Sequence, residues 1–225
     1  MKKLILLTTG LAALAVSGLS YAHHSDDHDD DKHDKTRQSL DLEGFDKIRL
    51  EGVYNMDVVV GGDDFSIDLS GRDYEMDILD VYLDGDTLVL DQDAPKKKRY
   101  KNRKGVKAKI RLPALYAVSV EGVGRGDFEN IKADEFEISV EGVGEFNFDG
   151  TCGTLDVSLE GVGKVNAEDL KCDHVEADLE GVGSMSVYAS NSIDGDAEGI
   201  GEIDVYGKPE VVNKSKGFLS KVNIN

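Results

Sequence analysis

Histidine is nearly confined to one short stretch of this chain. Of five histidines in 225 residues, only His174 lies outside residues 23–33. A Ser–His or Cys–His catalytic pair therefore has almost nothing to draw on in the body of the protein. Cysteine is scarce as well. Cys152 and Cys172 are the whole complement, and neither lies near the N-terminus, so a lipid anchor of the bacterial lipoprotein kind is not expected. The apolar run from Leu4 to Val16 is too short to span a bilayer, and no later segment is long enough either. Positive charge is outweighed: 26 Lys and Arg stand against 45 Asp and Glu, a net charge of −19. Nucleic acid and anionic membrane surfaces are poor partners for such a body.

What is present begins with a secretory signal over residues 1–22. Lys2 and Lys3 form its charged region, Leu4 to Val16 its apolar run, and Ser20-Tyr21-Ala22 a small-residue cleavage site. Removing 22 of 225 residues leaves 203, and losing two lysines takes the net charge from −19 to −21. The next segment, residues 23–40, opens with four His and six Asp between His23 and Lys35. Such a composition cannot bury a core and predicts a disordered tail. Its imidazoles, His23, His24, His28 and His33, together with carboxylates, have the chemistry to hold Zn²⁺, Cu²⁺ or Ni²⁺ weakly. The competing reading is a solvated, soluble tail.

The dominant feature is a repeat. Glu-Gly-Val-Gly occurs at 121–124, 141–144, 160–163 and 180–183, and Glu-Gly-Ile-Gly at 198–201, with starts 20, 19, 20 and 18 residues apart. Apolar residues alternate strictly on both sides, as in Leu155-x-Val157-x-Leu159 before and Val165-x-Ala167 after. That is the two-residue period of a strand with one buried face. A fixed period near 20 residues with strand–corner–strand units predicts an all-β parallel β-solenoid (β-helix) over residues 116–210. Paired glycines suit corner positions needing positive φ or close approach, and the Val or Ile between them is expected to point inward. Residues 41–115 are still β in pattern but irregular, with strands expected at 47–50, 56–60, 65–69, 76–83, 87–90 and 106–112 and a hairpin at Asp84-Gly85. They are read as a cap on the solenoid, with residues 211–225 as a second, C-terminal cap.

The only basic cluster falls inside the first of these regions. Lys96, Lys97, Lys98, Arg99, Lys101, Arg103 and Lys104, followed by Lys107, Lys109 and Arg111, put ten cations into sixteen residues. Tyr100 is the only aromatic residue among them, which is not the aromatic interleaving of a single-strand nucleic-acid binder. The cluster suits phosphate or sulfate groups, as on lipopolysaccharide or an anionic glycan, or else forms a solvated loop drawn to its own acidic faces.

Stacked in register, matching residues of successive repeats would lie roughly 4.8 Å apart. The glutamates, Glu141, Glu160 and Glu180 among them, would then form a ladder whose mutual repulsion a bound cation such as Ca²⁺ could relieve. The spacing is neither that of a Ca²⁺-binding nonapeptide repeat nor that of an EF-hand, so a hydrated acidic face is the alternative. Cys152 and Cys172 each precede a repeat glutamate by eight residues. Equivalent positions in neighbouring coils would bring their Cα atoms within disulfide range, and export supplies an oxidising compartment. The alternative is a free pair, because parallel strands aim the two Cβ vectors alike.

The order of these features resembles the family described as putative auto-transporter adhesin, or head GIN domain. The matching pieces are Phe45-Asp46-x-Ile48, Val58-x-Val60-Gly61, Leu112-Pro113-x-Leu115, the repeated Gly-x-Gly, and Tyr206-Gly207-x-Pro209, spanning about 45–225. The resemblance implies an all-β fold in the bacterial cell envelope with no established enzymatic activity. The chain departs from the family at Asn223-Ile224-Asn225 and in its His/Asp tail. The expected function is a non-catalytic exported protein of the Gram-negative periplasm or outer surface, binding a surface, polymer or envelope partner, with no cofactor. A periplasmic divalent-metal binder is the second reading and a glycan-active enzyme the third.

Overall fold

The computed structural model describes residues 35–92 and 104–225. Nine strands and one helical turn follow in order. They are β1 (Lys35–Leu40), β2 (Lys47–Val60), β3 (Ser66–Arg72), α1 (Asp73–Met76), β4 (Leu79–Asp84), β5 (Thr87–Gln92), β6 (Val106–Leu112), β7 (Ala117–Gly207), β8 (Val211–Lys216) and β9 (Leu219–Ile224). The signal segment and most of the His/Asp tail lie outside the described residues.

The all-β class is as expected, but the architecture is not the parallel β-solenoid predicted from the repeat. All nine strands belong to one sheet of mixed pairing that curls into a half-barrel. Strand β2 pairs parallel with β5, β6 and β7, and β7 pairs parallel with β8 and β9. By contrast β1–β3, β3–β6 and β4–β5 are antiparallel. The cause is local. Between Asp84 and Thr87 only Gly85 (φ +64°) and Asp86 intervene, and so short a connection can only return the chain antiparallel. The four-residue turn α1 joins β3 to β4, which do not pair with each other: β3 lies between β1 and β6, and β4 pairs with β5. It also occupies the start of the strand expected over 76–83.

Within β7 the backbone stays extended for 91 residues and bends at each glycine pair. Segments one period apart lie side by side: a Cβ on Gly142 would strike the carbonyl oxygen of Gly122, and one on Gly161 that of Gly142. The same file begins in β2, where Glu51, Gly52 and Val53 pair with Glu121, Gly122 and Val123. Strands expected separately at 47–50 and 56–60 are therefore one strand bent at Gly52.

The core follows the predicted alternation. Leu155, Val157, Leu159, Val165 and Ala167 are fully buried, and the Phe128 and Phe148 rings stack with centroids 4.7 Å apart. At the far edge the pattern breaks. Register sets Lys214 beside Gly195 and Lys216 beside Ala197, on the core side of the sheet, yet every residue of β8 is exposed.

Candidate binding surface

The corner between Glu160 and Lys164 shows how the sequence builds an outer ridge. Leu159 and Val165 point inward, and the two-residue period runs unbroken between them, so Gly161 and Gly163 take the inward positions and Val162 the outward one. Gly161 has a φ of +124°, and the carbonyl of Gly142 lies directly beneath it. Only glycine meets both conditions. The expectation that the apolar residue between the glycines is buried is thus overturned. Val123, Val143, Val162, Val182 and Ile200 are 48, 49, 51, 47 and 54 % exposed.

These five residues form one file along the outside of the bend. Register extends it to Val53 at one end and Leu219 at the other, where Leu219 is 59 % and the adjoining Phe218 99 % exposed. On one flank runs the glutamate file Glu51, Glu121, Glu141, Glu160, Glu180 and Glu198, whose six members repeat in step with it. Arg125, Glu145, Lys164, Ser184 and Glu202, two residues beyond each apolar residue, make the other flank a mixed one. Scattered exposed apolar residues are ordinary; a continuous file of them is a mark of an interaction site.

Beyond the glutamates the outer face stays acidic. Asp178 is held above the ordinary carboxylate range, first by burial and then by the charges of Glu176, Asp196, Asp156 and Asp194. Elsewhere amide side chains break the repulsion: Asn147 donates to Asp127 at 2.8 Å, one period away. Among the described residues no group of three or more His, Cys, Asp or Glu is placed to hold a metal ion. Glu141, Glu160 and Glu180 repeat in step along the outer face, and His23, His24, His28 and His33 lie outside the described residues.

Of the basic cluster, residues 96–103 fall outside the described residues, while Lys104 and the exposed Lys107, Lys109 and Arg111 of β6 are placed. Lys107 pairs with Asp57 at 3.1 Å. Strands β5 and β6 pair with the two halves of β2, Asp91 opposite Glu51 and Val106 opposite Tyr54. The two residues that lead into β6, Lys104 and Gly105, are held by Glu75, a residue the sequence did not single out. Glu75 is 1 % exposed. Its carboxylate accepts the backbone N–H of Lys104 at 2.8 Å and of Gly105 at 3.0 Å, and that of Arg72 at 3.2 Å.

Cys152 and Cys172 are joined in a disulfide, their Cα atoms 4.5 Å apart. That removes the thiol from any Cys172–His174 pair. The His174 Nδ1 instead meets Ser192 Oγ at 2.8 Å on the exposed face.

A domain of this class, a curled all-β sheet with a repeated glycine corner and a charged outer face, has solved relatives. The chain belongs to the family described as putative auto-transporter adhesin, head GIN domain, which matches residues 44–209. A putative adhesin from Bacteroides fragilis NCTC 9343 is 25 % identical, with a TM-score of 0.69 over 85 % of this chain and 97 % of that one. A putative lipid binding protein from Parabacteroides distasonis ATCC 8503 is 18 % identical with a TM-score of 0.48, covering 85 % of this chain and 97 % of that one. Among curated proteins nothing matches. No helix among the described residues is long and apolar enough to cross a membrane.

Proposed function

We propose that this is a non-catalytic, exported bacterial protein of adhesin type, and that the apolar file with its glutamate border is its binding face. The observation carrying this is the file itself: five half-exposed Val and Ile residues repeated in register where neighbouring outward positions are polar. Burying them on folding offers little, so their recurrence is explained by a partner. Family membership and the Bacteroides fragilis relative support the same reading.

The test is adhesion. Beads coated with the protein are counted on epithelial monolayers, on mucin and on bacterial cells, against beads coated with Val143→Ser/Val162→Ser/Val182→Ser. The variant should fold normally and retain at least about tenfold fewer beads, a loss of about 1.4 kcal/mol in apparent affinity. Retention of wild-type beads no better than albumin-coated beads on every surface would remove the adhesin reading.

A second reading rests on β6, where Lys107, Lys109 and Arg111 are all exposed on one face next to Lys104. They are the described part of the basic cluster, and their charge suits an anionic glycan or the phosphates of lipopolysaccharide. Salt-sensitive retention on a sulfated-glycan column, lost when Lys107, Lys109 and Arg111 become Gln, is the expected result. Unchanged elution of that variant rejects it.

A further inference from the structure

We infer that the ridge receives a cationic amphipathic helix of a partner protein, laid lengthwise along the file. This deepens the proposal above and rests on the ridge being the binding face. Three observations select the occupant.

The first is charge. Every apolar residue from Val123 to Ile200 follows a glutamate by two positions on the same outward face. A docked partner therefore meets an apolar stripe bounded on one side by a continuous row of carboxylates. A Lys or Arg flank complements that row. An anionic lipid surface does not. Nor does a second copy turned antiparallel, which would set glutamate row against glutamate row.

The second is spacing. Neighbouring ridge residues sit about 4.8 Å apart, the distance between paired strands. Side chains on one face of an extended partner strand repeat at about 6.8 Å, and so fall out of step within two residues. A helix advances about 5.4 Å per turn, and drifts by half a ridge step only after about four turns. The third is length. Val123 to Leu219 covers five steps, about 24 Å, which matches a helix of about 16 residues.

The probe is a labelled peptide of about 16 residues built of Leu and Lys, with Leu along one helical stripe, followed by fluorescence anisotropy at physiological salt. One comparison peptide has the same composition with Leu scattered around the helix. A second replaces every Lys by Glu. The striped Lys peptide should bind wild-type protein at least about tenfold more tightly than either. Val143→Ser/Val162→Ser/Val182→Ser should erase that preference, with circular dichroism and urea midpoint unchanged because these side chains are exposed. Glu141→Gln/Glu160→Gln/Glu180→Gln should weaken binding and flatten its salt dependence. Equal binding of striped and scattered peptides, or a striped peptide indifferent to the Val variant, overturns the inference. If that Val variant still abolishes bead adhesion, the ridge stands as the binding face and only the helix is withdrawn. If beads and peptide both ignore it, both readings fall.

Discussion

Alanine at Gly161 tests the stacking of β7 more directly than any core truncation. Two separate penalties meet there. With φ at +124°, an L-residue is held in a backbone region that costs of order 1–3 kcal/mol. Its Cβ would also collide with the carbonyl oxygen of Gly142, and forcing extra volume against packed neighbours costs about 1–3 kcal/mol. Stiffening the unfolded chain returns roughly 0.4–1 kcal/mol. The net loss is about 1–5 kcal/mol, a large part of the roughly 5–15 kcal/mol that holds a domain together. Two controls separate the terms. Gly163 carries the collision, with the Gly144 carbonyl, but not the positive φ. Gly44 carries the φ of +83° with nothing within 4 Å of the added methyl. Urea unfolding should rank the losses Gly161→Ala, then Gly163→Ala, with Gly44→Ala at about 1 kcal/mol or less. Should Gly161→Ala cost no more than Gly44→Ala, the close approach of successive segments, and with it the continuous ridge, is refuted.

Reducing the Cys152–Cys172 disulfide, which closes a 20-residue separation, should lower stability by about 3 kcal/mol on the loop-entropy estimate; identical urea midpoints with and without reductant would contradict this. Glu75→Ala removes an acceptor shared by three backbone donors and should cost roughly 2–4 kcal/mol; an unchanged urea midpoint would show that Glu75 does not hold Lys104 and Gly105 at the start of β6. Asp178 is raised by burial and by Glu176, Asp196, Asp156 and Asp194, so its contribution is most favourable below the unfolded carboxylate value near 3.9 and is lost as pH rises through the higher folded value. Asp178→Asn should therefore stabilise the protein at neutral pH and give no advantage at about pH 3; a gain independent of pH would assign the effect to something other than ionisation.

The interior was legible because alternation is a strong signal. Residues such as Val157 and Leu159 are where their phase puts them. The ridge was legible in principle and misread. Counting outward from Leu159 places Gly161 inside and Val162 outside, but apolar character suggested the opposite. The mixed pairing left no comparable trace. Short β-rich segments with the same composition pair in either direction, and what decides is the length of the connections on each side. Glu75 was invisible for another reason: two of its three partners are backbone N–H groups about thirty residues away in sequence, which no residue pattern advertises.

Strand β8 has one more consequence. A sheet that ends in a bare row of N–H and C=O groups invites another chain to add to it, and then another. Here the last rung puts two ammonium groups, Lys214 and Lys216, where the next rung's aliphatic side chains would have to sit. Any newcomer must either bury those charges or leave its own oily face in water. Lys214 and Lys216 thus blunt the β8 part of that edge against the addition of another strand.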